Sequence, residues 1–170
     1  VAAAGHKPEA QAQTRTLQPR ELELTSIVIR ILRGYRVHAG ALFDRVQIEI
    51  RAEDLVSVCR ILKDDNATRF KTLLCVAAVD YKDKIQMVYT LLSMEWEYTL
   101  AIKVDLPAER PEAPSLTGLW HAADWYEREA HDLFGVNFTG HPGLKPLLLY
   151  EGFEGHPGLK SFPFHEYTEF

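Results

Sequence analysis

Cysteine is nearly missing from this sequence: Cys59 and Cys75 are the only two in 170 residues. Two thiolates cannot hold a four-cysteine iron–sulphur cluster. Cys59 falls on the apolar side of an expected helix and Cys75 lies inside an apolar run, so both read as small core residues in a reducing compartment. Long hydrophobic runs are missing too. The longest, "LLCVAAV" from Leu73 to Val79, is far short of the roughly 18 to 20 residues a membrane-spanning helix needs. Basic charge is scarce at one end: residues 105–170 contain 11 acids and 4 bases, against 13 acids and 15 bases in residues 1–104. Such an acidic third repels nucleic acid, which requires clustered Lys and Arg, and suits a basic protein partner. Recognisable catalytic signatures are lacking as well, with no GxSxG, Walker, GxGxxG or HExxH pattern. Glu127 and Glu129, two apart on a helix, diverge and make a poor acid–base pair.

What is present fits one globular domain. Hydrophobic residues make up 46% and charged residues 25% of the chain, ordinary proportions for a packed core. Residues 1–19, rich in Ala, Gln and Thr and without apolar periodicity, are expected to form a flexible arm; the composition resembles what remains after removal of an organellar transit peptide, and a bacterial arm would look the same. After Pro19 a helix is expected, with Leu22, Ser26, Ile29 and Leu32 on its buried stripe and Gly34 as terminator. "RVQIEI" alternates as a strand. "RAEDLVSVCRILKDD" repeats Leu55, Cys59 and Leu62 at helical spacing behind the acidic start Glu53–Asp54. "FKTLLCVAAVDY" fits a buried strand or a short helix equally well. "IQMVYTLL" and "TLAIKVDL" alternate and pair as a hairpin across "SMEWEY". The expected class is α+β: a small, mostly antiparallel sheet packed with helices over residues 20–135, then an extended, irregular tail over 136–170.

Residues 107–115, with three prolines in eight positions, read as a stiff linker. An amphipathic helix should follow over 116–135, ending at Gly135, with Leu116, Leu119, Trp120, Ala123, Tyr126, Ala130, Leu133 and Phe134 inward. Its second stripe holds His121, Asp124, Trp125, Arg128 and Asp132. Helical spacing sets Arg128 one turn from a carboxylate on each side. A plain surface ion-pair ladder would not need a tryptophan, and Trp125 beside an arginine favours a protein–protein contact. In the tail, "GHPGLK" occurs at 140–145 and again at 155–160. Pro142 and Pro157 bias His141 and His156 toward extended conformations, so each copy is first a bend in the chain. Five of the seven histidines fall in the last 50 residues, at His121, His131, His141, His156 and His165. Their spacings of ten, ten, fifteen and nine lack the close ligand pair of a catalytic zinc site.

"ADWYEREAHDLFGVNFTGHPGLKPLLL" at 123–149 and "GFEGHPGLKSFP" at 152–163 resemble the signature of the 30 kDa subunit family of respiratory complex I, the NADH:quinone oxidoreductase. The core of the match is W-x-E-R-E-x-x-D-x-x-G, here Trp125, Glu127, Arg128, Glu129, Asp132 and Gly135. "VDY" at 79–81, "VYTLLS" at 88–93 and "PEAPSLTGLW" at 111–120 occur in the family's order. The resemblance implies a subunit of the hydrophilic, peripheral arm that binds no cofactor itself. FMN, the iron–sulphur clusters and quinone would sit on other subunits. The implied partners are the quinone-pocket (49 kDa-type) subunit and the terminal-cluster subunits; nucleic acid is not among them. The implied location is the matrix side of the mitochondrial inner membrane, or the cytoplasmic side of a bacterial plasma membrane, with the chain peripheral to the bilayer. The residues expected to meet partners are Asp124, Trp125, Glu127, Arg128, Glu129, Asp132 and Gly135 on the helix. In the tail they are His141, Pro142, Lys145, His156, Pro157, Lys160, Phe162 and Pro163. The family usually has two basic residues where this chain has Lys145 and Pro146, and Leu-Arg-Lys-Asp-Phe-Pro where it has Gly158 to Pro163, so both forked arginine donors are absent. Two other readings share these residues: the same scaffold in a membrane-bound nickel–iron hydrogenase, and a free-standing metal enzyme built on the histidines.

Overall fold

The computed structural model describes residues 18–42 and 45–163. The expected arm therefore lies outside the described residues except at its end, as does His165. Helix α1 (Pro19–Ile31) opens with proline at its first position, and the Gln18 N–H donates to the Glu21 carboxylate at 2.6 Å, a start that uses groups with no helical partner. Strands β1 (His38–Leu42) and β2 (Arg45–Ile50) follow. A short 3-10 turn (Ala52–Asp54) leads into α2 (Leu55–Asp64), then come β3 (Thr72–Asp80), β4 (Lys84–Ser93) and β5 (Tyr98–Pro107). Two three-residue strands, β6 (Glu112–Pro114) and β7 (Asn137–Thr139), flank α3 (Ala123–Phe134).

The five long strands form one mixed sheet in the order β1-β2-β5-β4-β3, antiparallel except between β2 and β5. Alternation puts Val46, Ile48 and Ile50, then Ile85, Met87, Tyr89 and Leu91, then Leu100, Ile102, Val104 and Leu106 into one core. Leu24, Val28 and Leu32 of the first helical segment and Leu55, Val58, Cys59 and Leu62 of α2 complete it. The α+β class and the mostly antiparallel sheet are as expected, and the ambiguous segment is the strand β3.

Four local expectations are corrected. α1 buries Leu24, Val28 and Leu32, while Leu22 and Ile29 are half exposed; both rows of this helix are apolar, and contact with the sheet selects one. Cys75 is exposed rather than in the core. A bulge between Leu73 and Cys75 inserts one residue into β3, so the inward phase passes from Leu73 to Val76. α3 begins at Ala123 instead of 116. The preceding stretch closes as separate turns, Trp120 N–H to Leu116 C=O and Ala123 N–H to Trp120 C=O. The stiff linker contains β6, which pairs in parallel with β7, Ala113 opposite Phe138, and so ties the start of the tail back into the domain.

Candidate functional site

The residues expected to meet partners lie on α3 and the tail, and Asp124, Arg128, Asp132, His141 and His156 hold the two together. Glu127, on the inner side of α3, is fully buried. Its carboxylate accepts from the Ser115 hydroxyl at 2.6 Å and from the Leu116 N–H at 2.7 Å, fixing the loop before the helix. Burial pushes this carboxyl up from its ordinary value, and the two hydrogen bonds only partly offset that. Glu127 therefore acts inside the fold, a correction to its expected place against a partner.

The first "GHPGLK" copy docks beside it. The His141 side chain is fully buried, with Nε2 3.2 Å from Asp124 Oδ1 and 4.0 Å from Glu127 Oε2. The Gly143 N–H donates to His141 Nδ1 at 3.0 Å, which assigns the ring proton to Nε2, facing Asp124. Pro142 and Gly143 make the turn that brings this donor back to its own histidine.

One turn further along α3, Arg128 does not sit between carboxylates as expected. Nε and Nη2 of its guanidinium donate to the carbonyls of Lys145 and Pro146, each at 3.0 Å. This two-pronged grip on backbone carbonyls uses the planar fork that lysine lacks. Asp132, one more turn along, receives the N–H groups of Leu147, Leu148 and Leu149 on a single oxygen, at 3.0, 2.7 and 2.8 Å. Burial alone would push the Asp132 carboxyl up; the three donors outweigh it and hold the carboxyl below its ordinary value.

The second "GHPGLK" copy closes the far end of the helix. His156 Nδ1 lies 3.0 Å from the Asp132 carbonyl, and the Gly158 N–H donates to the Leu133 carbonyl at 2.8 Å. These are two of the last carbonyls of α3, which have no partner within the helix. Gly135 terminates α3 at φ 74°, and a Cβ there would stand 2.7 Å from His156 Nε2, so both the left-handed turn and the close approach require glycine. Beyond it, the Lys160 N–H donates to Asp80 Oδ2 at 2.7 Å, and the Lys160 ammonium lies 5.9 Å from the Tyr81 ring centroid. Phe162 stacks on Phe153, which meets Tyr150 edge-on. Pro157 is half-buried in this turn; Pro142, Pro163 and Lys145 are on the surface.

Three large apolar side chains of α3 and the tail are exposed: Trp125 at 64%, Leu148 at 60% and Tyr150 at 72%. Arg128 lies 6.0 Å from the Trp125 ring centroid, bracing it from the helix side. Glu129, Glu151 and Glu154 are exposed acids of the same helix and tail. Sequence reasoning named Trp125 and Glu129. It missed Leu148 and Tyr150, whose signal was the apolar run 147–150 in a segment otherwise full of turns. Among the described residues no group of three or more His, Cys, Asp or Glu side chains is placed to hold a metal ion. His131 reaches the Val136 carbonyl at 2.9 Å, so it, His141 and His156 all serve the helix and its ends.

Comparison with known proteins places this arrangement. The family described as respiratory-chain NADH dehydrogenase, 30 Kd subunit, matches residues 48–168. A NADH-quinone oxidoreductase subunit of Rhizobium meliloti is 36% identical over 153 residues, covering 88% of this chain and 83% of that protein. A NADH-quinone oxidoreductase subunit of Rhodospirillum rubrum is 36% identical, covering 80% of this chain and 69% of that protein. Another, from Salinispora arenicola, is 41% identical over 60% of this chain, and the matched stretch spans 43% of that longer protein. Among solved structures, a trypsin-resistant fragment of Nqo5 superposes with a TM-score of 0.57 at 26% identity, covering 74% of this chain and 99% of the fragment. A chain of an archaeal membrane-bound sulfane sulfur reductase superposes with a TM-score of 0.72 over 84% of this chain and 85% of that chain. At 24% identity that second likeness shows the fold. The extent of the family match, together with the Rhizobium and Rhodospirillum relatives, makes this chain a member of the respiratory-chain NADH dehydrogenase 30 Kd subunit family.

Proposed function

We propose that this chain is a subunit of a NADH:quinone oxidoreductase that binds no cofactor itself, sits in the peripheral arm and supports assembly of the quinone-reducing module. Hydride, electron and proton transfer belong to the other subunits, which carry FMN, the iron–sulphur clusters and quinone. What carries the reading is the latch on α3: Arg128 and Asp132 spend their hydrogen-bonding capacity on tail backbone, leaving Trp125, Leu148 and Tyr150 exposed. A tail fixed in advance loses less conformational entropy on docking. The acids around the exposed aromatics suit a partner surface rimmed with Lys and Arg, and the quinone-pocket subunit is the partner we assign to it. Among the described residues no helix is long and apolar enough to cross a membrane, so association with the bilayer would run through the rest of the complex. The relatives named above are bacterial, and the reading there is the cytoplasmic face of the plasma membrane; in a mitochondrion it is the matrix side.

Arg128→Ala tests the reading. It should lower the amount of this chain recovered in the assembled complex several-fold, measured by native electrophoresis of membranes, with turnover per assembled complex retained. Normal assembly with lost turnover would contradict it.

A further inference from the structure

β3 is an edge strand. β4 pairs with one side of it, and among the described residues no strand pairs with the other. From Thr72 to Val79 it carries neither charge nor proline; of the devices that usually blunt an exposed edge it has the bulge near its start and partial cover by α3. α3 runs beside this edge, and the two leave a groove lined by Cys75 to Ala78 on the strand and by Tyr126, Glu129 and Phe134 on the helix. Successive strand residues point to opposite faces, so a groove that touches four in a row opens onto backbone rather than onto one face of the sheet. One end is closed, because the Tyr126 hydroxyl donates to the Leu74 carbonyl at 2.7 Å. Past that point, no hydrogen bond between described residues occupies the outer backbone groups of Cys75 to Val79.

We infer that this groove receives an extended, mostly apolar strand of about five residues from another subunit, added to β3 as a sixth strand, with a Lys or Arg of that strand against Glu129. The inference rests on the reading that the chain works within a multisubunit complex. A row of backbone donors and acceptors at strand spacing is matched by a second extended backbone, whereas a helix, its own backbone groups already paired, leaves the row unsatisfied. Cys75 and Ala77 are small and exposed, so an incoming backbone can come within pairing distance. Glu129 is the charged residue on the groove wall, and it selects a cation opposite. The groove adjoins the Trp125 face through α3, so one partner surface can reach both.

Cys75 supplies the reporter. The chain's other cysteine, Cys59, is fully buried, so a maleimide applied under native conditions reads Cys75. The complex is purified from native membranes through a tag on this chain and compared with the isolated full-length chain. Amide hydrogen exchange is followed over residues 75–79, together with maleimide labelling of Cys75. The expected result is exchange slowed by about tenfold or more at alternate amides in the complex, and labelling slowed likewise, with both fast in the isolated chain. Ala77→Lys, which places a charge on the edge, should remove the protection while the isolated variant keeps its unfolding midpoint. Equal exchange in both samples, with other subunits still co-purifying, overturns the strand inference and leaves the subunit reading standing. Purification without other subunits overturns that reading instead. Protection already present in the isolated chain overturns the inference in favour of the chain's own segment if independent of concentration, and in favour of a second copy if it rises with concentration. Slow labelling with unprotected amides shows a covered but unpaired edge, and overturns it as well.

Discussion

Asp132→Ala should release residues 147–149 while leaving the domain folded. One carboxylate oxygen accepts all three N–H groups, at 3.0, 2.7 and 2.8 Å. A hydrogen bond to an ionised group contributes roughly 1.5 to 3 kcal/mol net, so simple addition gives about 4.5 to 9 kcal/mol. That sum is too large for two reasons. Three donors sharing one oxygen act as a unit, and their contributions do not add. Leu148 is also 60% exposed, so water takes over its N–H once the carboxylate is gone. A local cost of about 2 kcal/mol remains, which at about 1.4 kcal/mol per decade is roughly a 30-fold change in the opening equilibrium. Backbone amide exchange on the full chain near neutral pH reads this directly. Leu147, Leu148 and Leu149 should exchange about 30-fold faster in the variant, while amides of β4 and β5 keep their protection. Unchanged exchange at 147–149 would refute the latch, and a loss spread over β4 and β5 would show that Asp132 holds the whole domain rather than the tail. The carboxyl's lowered pKa sets the direction with pH: the latch is fully present above the ordinary value of 3.8 and is lost as pH falls through the lower folded value.

Glu127 has the opposite sign. Its folded pKa is raised above 4.5 by burial, so its favourable contribution is complete below that value and is lost as pH rises through the folded pKa. In urea unfolding, the stability of the wild type minus that of Glu127→Gln should be larger at pH 4 than at pH 7, and the reverse order would refute the assignment. Gly135→Ala forces a side chain into a left-handed conformation, a cost of about 1 to 2 kcal/mol, and sets a Cβ 2.7 Å from His156 Nε2. Its thermal midpoint should fall by several degrees, with a shifted His156 ring resonance, whereas Gly34→Ala, which meets nothing within 4 Å, should leave the midpoint nearly unchanged. Trp125→Ala removes a side chain that is 64% exposed; the isolated chain should unfold at the wild-type midpoint while recovery in the assembled complex drops, and a destabilised isolated chain would mean that Trp125 serves the fold.

Where one physical rule acted alone, the sequence was read correctly. β2 and β5 alternate in burial along their length and β4 does so from Met87 onward, and a strand with one buried face follows that period. Misreadings arose where two rules competed. In α1, the rows Leu22–Ile29 and Leu24–Val28 are both apolar, and periodicity does not say which one the sheet will cover. In β3, strict alternation assigns Cys75 to the core, but the bulge changes the phase midway, and no residue type in "TLLCV" announces a bulge. Before α3, helical spacing continues through Leu116, Leu119 and Trp120, yet the Leu116 N–H is held by Glu127 from eleven residues away, a tertiary contact that spacing does not reveal.

The site was legible in a comparable way: the face could be found, its purpose only partly. Helical spacing does place Trp125, Arg128 and Asp132 on one stripe. From there, the obvious electrostatic reading pairs Arg128 with its neighbouring carboxylates, because exposed i, i+4 pairs are the default on a helix surface. That pairing is worth a few tenths of a kcal/mol. Two charge-assisted bonds to carbonyls, and three to a carboxylate, are each worth several times more, so a passing stretch of backbone outcompetes the local ion pairs. The repeated "GHPGLK" follows from the same competition. Each copy brings a histidine to α3, the first to the Asp124 carboxylate near the start and the second to the Asp132 carbonyl, one of the last carbonyls with no helical partner. The chain between the copies is pinned to the helix by Arg128 at the Lys145 and Pro146 carbonyls and by Asp132 at the Leu147, Leu148 and Leu149 N–H groups. With its backbone engaged in this way, Leu148 and Tyr150 remain 60% and 72% exposed.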